Sequence, residues 1–138
     1  MRPIETIDPA SFAPYGTVLE FTGGDDRFEV LVTEPDSPWR LAVFRSRLRS
    51  CAEMECHPAS LESFEPMRGA GVLLVAAHET PSDWHAFLLD RPVCLHKGVW
   101  HSLLTLSEET VVKIAENLEV SSELRPVEPP IRLGAECL

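Results

Sequence analysis

Two short segments carry the residue types that hold metal ions and move protons. In Glu55-Cys56-His57 a carboxylate and an imidazole are two positions apart, so an extended strand points both the same way. Pro58-Ala59-Ser60 suggests a turn, after which the next strand can bring Glu62 back to the same place. Further on, His96-Lys97-Gly98-Val99-Trp100-His101 offers a glycine turn that feeds His101 into another strand. Two imidazoles and two carboxylates suit a borderline or hard divalent ion such as Ni, Zn, Mn or Fe(II), with Glu55, His57, Glu62 and His101 as ligands. General acid and base groups are present in the same segments, and His57, Glu62, His101 and His96 are the candidates.

Cations near these segments admit two readings each. Lys97 is either a solvated turn residue or a cation at a pocket mouth that receives a substrate carboxylate. Arg45, Arg47 and Arg49 alternate, so one strand would put all three on one face: a solvated outer surface or an anion-facing wall with Arg45 in it. Trp100 belongs to the core or stacks on a ligand. His78 and His85 have no motif around them and read as surface or strand residues.

The elements that must position these groups are short. Prolines number 12 and glycines 7 in 138 residues, and they cut the chain into brief segments. Asp8 followed by Pro9 reads as an N-cap and first helical position, giving one short N-terminal helix. The remainder reads as strands at 17–21, 28–33, 39–49, 51–57, 72–77, 84–89, 93–96, 102–106 and 110–115, separated by turn residues. That pattern predicts an all-β sandwich or barrel, because an α/β sheet would need long helices between strands. Length allows one domain: a barrel over residues 1–120 and a Pro-rich arm over 121–138 that packs along the barrel or onto a neighbouring subunit.

Composition excludes other classes. Hydrophobic residues make up 44% and charged residues 25%, as in ordinary globular proteins. The 12 basic against 22 acidic residues give a formal charge of −10, which leaves no basic face for nucleic acid. The longest apolar run, Val72 to Ala77, is far too short for a membrane span, and the N-terminus has no secretory apolar region, so a cytoplasmic location is expected. Cys51, Cys56, Cys94 and Cys137 form no CxxC pair and are expected as free thiols.

The spacing resembles the two motifs of the cupin superfamily. Glu55-Cys-His57, four residues, Glu62, six residues and Gly69 follow the first motif, and His96-Lys-Gly98-Val-Trp-His101 follows the second. Glu55 stands in place of a histidine and His96 in place of a proline. More narrowly, Phe12-Ala-Pro-Tyr-Gly-Thr-Val-Leu19, Glu55-Cys-His-Pro58, Phe64-Glu-Pro-Met67, Ala86-Phe87 and Gly98-Val-Trp-His101 look like the ureidoglycolate lyase family in the right order. Glu62 replaces that family's usual Gln. The resemblance implies a cupin-type β-barrel (a double-stranded β-helix or jelly roll), a homodimer, a divalent metal, and cleavage of the small carboxylate ureidoglycolate to glyoxylate and urea in allantoin breakdown. Two alternatives stay open: a metal-dependent cupin enzyme for another small carboxylic acid, and a non-catalytic small-molecule-binding barrel.

Overall fold

Apolar and polar residues alternate along most of the strands, and that alternation decides which sheet face each side chain joins. The computed structural model describes residues 2–134. In chain order the elements are β1 (Ile4–Glu5), α1 (Pro9–Phe12), β2 (Gly16–Val18), β3 (Trp39–Ser46), β4 (Ser50–Cys56), β5 (Glu62–Arg68), β6 (Gly71–Ala76), β7 (His85–Leu89), β8 (Val93–Leu95), β9 (Trp100–Thr105), β10 (Thr110–Asn117) and β11 (Glu123–Arg132). They form two sheets, ordered β1-β7-β6-β9-β4-β11 and β2-β8-β5-β10-β3. Among the described residues, all the pairings are antiparallel except β1 with β7. The architecture is the all-β, two-sheet jelly roll expected, with the strands crossing between layers.

Two apolar clusters follow from the alternation. Leu73, Val75 and Leu103 from the first sheet meet Phe64, Val112 and Ile114 from the second, and this is the core between the layers. Val72, Leu74, Ala76 and Leu104 point the other way, onto the outer face of the first sheet. Because β6 is buried on both faces, it reads as an unbroken apolar run rather than an alternating one. The C-terminal arm explains the second burial. β11 pairs with β4, breaks register between Pro126 and Ile131, and lays Val127, Ile131 and Leu133 against the outer cluster.

The N-terminal helix forms as its cap predicts. The Asp8 carboxylate accepts from the backbone of Ala10 and Ser11 at 2.9 Å each, and Pro9 occupies the first turn. Phe12 then plugs one end of the core against Phe87.

Two expected strands are corrected. Residues 28–33 form none: β propensity needs a neighbouring ladder, and this segment instead runs irregularly beside Leu41, Ser63 and Ala115 on the outer face of the second sheet. β3 stops at Ser46, not residue 49, because the Ser46 hydroxyl donates to the Leu103 carbonyl at 2.7 Å and accepts from the Leu48 amide at 3.2 Å, turning the chain. The three arginines therefore do not share one wall. Cys51, Cys56 and Cys94 are buried free thiols, and Cys137 lies outside the described residues. Among the described residues no helix is long and apolar enough to cross a membrane.

Candidate active site

Strand register brings the first cluster together. Glu55 on β4 is the direct cross-strand partner of His101 on β9, and His57 follows at the end of β4. Glu62 opens β5 in the opposite sheet and faces them across the core. The turn before β9 is tied down at Gly98, whose φ of +82° favours glycine and whose amide donates to the His57 carbonyl at 3.0 Å. One backbone bond thus joins the two segments that carry the histidines.

The side-chain atoms converge. His101 Nε2 lies 2.9 Å and His57 Nε2 3.3 Å from Glu62 Oε1, while Glu55 Oε1 is 3.8 Å from His101 Nε2 and 4.0 Å from His57 Nε2. His57, Glu62 and His101 are buried, whereas the Glu55 side chain is 45% exposed.

Hydrogen-bond accounting shows what the cluster lacks. His57 Nδ1 faces the Ser121 carbonyl at 3.2 Å and the Ser122 hydroxyl at 3.1 Å, and His101 Nδ1 faces the Val99 carbonyl at 3.0 Å. A carbonyl only accepts, so each Nδ1 carries the ring proton and each neutral Nε2 presents a lone pair inward. Glu62 Oε1 also only accepts. Although 2.9 Å apart, Glu62 Oε1 and His101 Nε2 are both buried without a hydrogen-bond partner. Three acceptors around one point call for a cation, either protons or a metal ion. Protons would act through the carboxylate: a protonated His57 donates to Glu62, and that hydrogen bond raises the His57 pKa above its ordinary value. Burial opposes ionisation of Glu62, but the hydrogen bonds that His101 and His57 donate once protonated at Nε2 outweigh it and hold its pKa down at about 2. A divalent ion fits equally well. Ligands at about 2.0–2.2 Å from one ion stand roughly 3–4 Å from each other, and the separations here run from 2.9 to 4.0 Å. Glu55, His57 and His101 form a group that can hold a metal ion.

A cavity of about 290 Å³ adjoins the cluster, with Glu55, Glu62 and His101 in its wall and Phe44, Ile114 and Leu124 giving an apolar side. No lysine or arginine lines it among the described residues.

The other sequence candidates lie elsewhere. His96 is exposed, with Nε2 3.0 Å from the Ala13 carbonyl. Lys97 pairs with Glu34 at 3.0 Å. Arg45 points off the outer surface to Glu109 at 3.2 Å. Trp100 is buried in the outer cluster, stacked on His78 at 5.6 Å and donating to its carbonyl at 3.2 Å, on the opposite face of β9 from His101. Residues that the sequence motifs do not include also reach the cluster. Ser121 and Ser122 anchor His57, and the Glu116 carboxylate stands within 4.8 Å of the His57 and Glu62 ligand atoms. Arg40 in turn binds Glu116 at 2.8 Å. Arg40 and Glu116 carry a signal in the sequence: both put a charge where inward alternation on β3 and β10 calls for an apolar residue.

Residues 2–125 match a family model described as ureidoglycolate lyase. The chain belongs to the ureidoglycolate lyase family. Similar members include ureidoglycolate lyases of Pseudomonas savastanoi pv. phaseolicola, 30% identical with 71% of each chain covered, and of Azotobacter vinelandii, 30% identical with 71% of this chain and 73% of that one covered. Membership makes the protein an enzyme of the lyase class. Among solved structures, a point mutant of Bacillus subtilis oxalate decarboxylase is similar at TM-score 0.46 and 14% identity, covering 66% of this chain and 24% of that one, so this chain spans about a quarter of its length. Another structure of that decarboxylase is described by its Mn(II) centres.

Proposed function

We propose that this family member cleaves ureidoglycolate to glyoxylate and urea at the Glu55, His57, Glu62 and His101 cluster. The observation that carries the reading is the convergence of these four side chains, with buried and unsatisfied acceptor atoms, beside an open cavity in a chain of this family.

Ureidoglycolate is a hemiaminal: one carbon bears both the hydroxyl and the urea nitrogen. Cleavage breaks the C–N bond, with the electron pair leaving on nitrogen, while the hydroxyl oxygen gives up its proton and becomes the carbonyl of glyoxylate. One proton must therefore move from oxygen to nitrogen. Glu55 suits that transfer. It is the one cluster residue that is substantially exposed, it lies in the cavity wall, and no hydrogen bond engages its carboxylate among the described residues. In this mechanism Glu55 takes the hydroxyl proton and returns it to the departing nitrogen. Glu62, His57 and His101 are the fixed set behind it, each imidazole oriented by its Nδ1 contact to a backbone carbonyl. The four residues would hold a divalent ion (Ni, Zn, Mn or Fe(II)), which would supply Lewis acidity when bound.

The test is glyoxylate release from ureidoglycolate by the purified protein, with its metal content measured alongside. Turnover above the spontaneous rate is expected. No glyoxylate above that rate after loading with Ni, Mn, Zn or Fe(II) would overturn the reading. The apolar cavity wall at Phe44, Leu48 and Leu124 favours a second reading in that event, a metal-dependent cupin enzyme for a bulkier carboxylic acid.

A further inference from the structure

An anionic substrate at this cluster needs a cation, and the cavity wall offers three carboxylates, Glu53, Glu55 and Glu62, and no basic side chain among the described residues. Even a divalent ion would be matched by the two carboxylates beside it, leaving nothing for a substrate anion. The basic residues nearest in sequence are committed elsewhere. Arg45, Arg47 and Arg68 gather on Glu109, Lys97 on Glu34 and Lys113 on Glu65, while Arg49 is spent on the Thr105 and Leu106 carbonyls.

Arg40 is different. Glu116 on β10 is the cross-strand partner of Arg40 on β3 on one side and of Glu62 on β5 on the other, so Arg40, Glu116 and Glu62 form one transverse row. Adjacent strands are about 4.8 Å apart, which keeps the row within side-chain reach. All three share the inward face that Ala42, Ile114 and Phe64 mark in the next row. Arg40 Nε and Nη2 both donate to Glu116 Oε1, at 3.2 and 2.8 Å, and the Glu116 carboxylate itself stands within 4.8 Å of the His57 and Glu62 ligand atoms. Glu116 is 9% exposed and Arg40 47%, so the carboxylate is the fixed partner and the guanidinium meets solvent. Nη1 makes no hydrogen bond among the described residues, leaving one edge of the guanidinium able to receive a second carboxylate.

We propose that Arg40, braced by Glu116, binds the carboxylate of the substrate and is the residue that selects small anions at this site. The inference rests on the reading of the cluster as a ureidoglycolate-cleaving centre. It assigns to Arg40 the task that Arg45, five residues further along β3 on the opposite sheet face, is turned away from.

Glyoxylate binding by calorimetry to the protein as purified, together with ureidoglycolate kinetics, tests it. Arg40→Gln should weaken glyoxylate binding and raise KM by about 10- to 100-fold, the worth of a charge-assisted hydrogen bond, with kcat less affected. Arg40→Lys should recover only part, since an ammonium lacks the planar fork. Arg40→Gln combined with Glu116→Gln removes both charges, so no buried carboxylate is left unpaired, and it should lose glyoxylate to the same degree while retaining the wild-type melting profile. Arg45→Gln should stay within about twofold of wild type, as surface changes do. Glyoxylate affinity unchanged in Arg40→Gln, or no glyoxylate binding by the wild type, would overturn the assignment. Binding that is lost in Arg40→Gln, in a protein that does not turn over ureidoglycolate, would refute the proposed reaction and leave the carboxylate site standing.

Discussion

Glu109 stands just before β10 with Arg45 Nε at 3.2 Å, Arg47 Nη2 at 3.1 Å and Arg68 Nη2 at 3.3 Å, all three on the protein surface. Glu62 stands between the sheets with His101 Nε2 at 2.9 Å and His57 Nε2 at 3.3 Å. Both carboxylates are gathered in by basic side chains, and both have lowered pKa values. At Glu109 desolvation is outweighed by the Arg47 hydrogen bond and the Arg45 and Arg47 charges; at Glu62 it is outweighed by the two histidines. The difference lies in donors. A guanidinium always donates, so the Glu109 group is complete as it stands, and water screens it. A neutral imidazole whose Nδ1 proton is held by a carbonyl can only accept at Nε2, so the Glu62 group is incomplete until a cation, a proton or a metal ion, enters. Two buried partners therefore say more about function than three exposed ones.

The sharpest way to break this comparison is to remove the imidazoles. His57→Ala with His101→Ala should take bound divalent metal from about one ion per chain to none, since two ligands of four are gone, and glyoxylate release to the spontaneous rate. Metal analysis showing the ion retained would refute the cluster as its site. Glu62→Gln is more discriminating. Its amide can donate to a histidine Nε2, so the chelated variant should melt no lower than chelated wild type at about pH 8, where imidazoles are neutral, while its metal affinity falls by about tenfold or more. A clear drop in the chelated variant's Tm would mean that the cluster is not acceptor-only.

A pH series on the chelated protein is expected to show a smaller effect with a defined sign. Stability from the lowered Glu62 pKa is fully present above the ordinary value of 4.5 and is lost as pH falls from there toward about 2. Stability from the raised His57 pKa is fully present below the ordinary value of 6.5 and is lost as pH rises through the elevated folded value. Thermal melts should therefore peak between 4.5 and 6.5, and the alkaline decline should be suppressed when metal is restored. The smallest effect belongs to Glu109→Gln. A slight fall in Tm that vanishes in high salt, with metal content and turnover unchanged, is expected from a screened surface cluster. A large or salt-insensitive loss would erase the contrast between the two carboxylates.

The parts of the molecule legible in advance were those governed by local chemistry. Asp8 and Pro9 announce the helix because capping is settled within one turn. Most strands were visible because turn residues bound them and β6 is apolar throughout. Glu55 and His57 could be put on one side of a strand because strand geometry alternates. Residues 28–33 misled for the converse reason: Phe28, Val30 and Val32 have strand propensity, but a strand exists only where another offers its edge. Arg45, Arg47 and Arg49 misled because their alternation holds only while β3 continues, and a hydrogen bond from the Ser46 side chain ends it. His96 and Lys97 sit in the motif that delivers His101, yet a turn splays its side chains outward, to Ala13 and Glu34.

Residue identity and spacing along one chain were enough for the all-β class, the family and the residue types of the buried cluster, because these depend on short-range geometry that repeats every two residues. Which face of β3 looks inward, and hence why Arg40 joins the Glu116 and Glu62 row while Arg45 joins Glu109, came from the register of β3 on β10 and of β10 on β5. Register is a relation between segments far apart in sequence, and a slip of one residue exchanges the two faces. The unsatisfied acceptors at Glu62 and His101 are likewise invisible in one dimension, since they arise only when carbonyls at Val99 and Ser121 hold the imidazole protons away from the carboxylate.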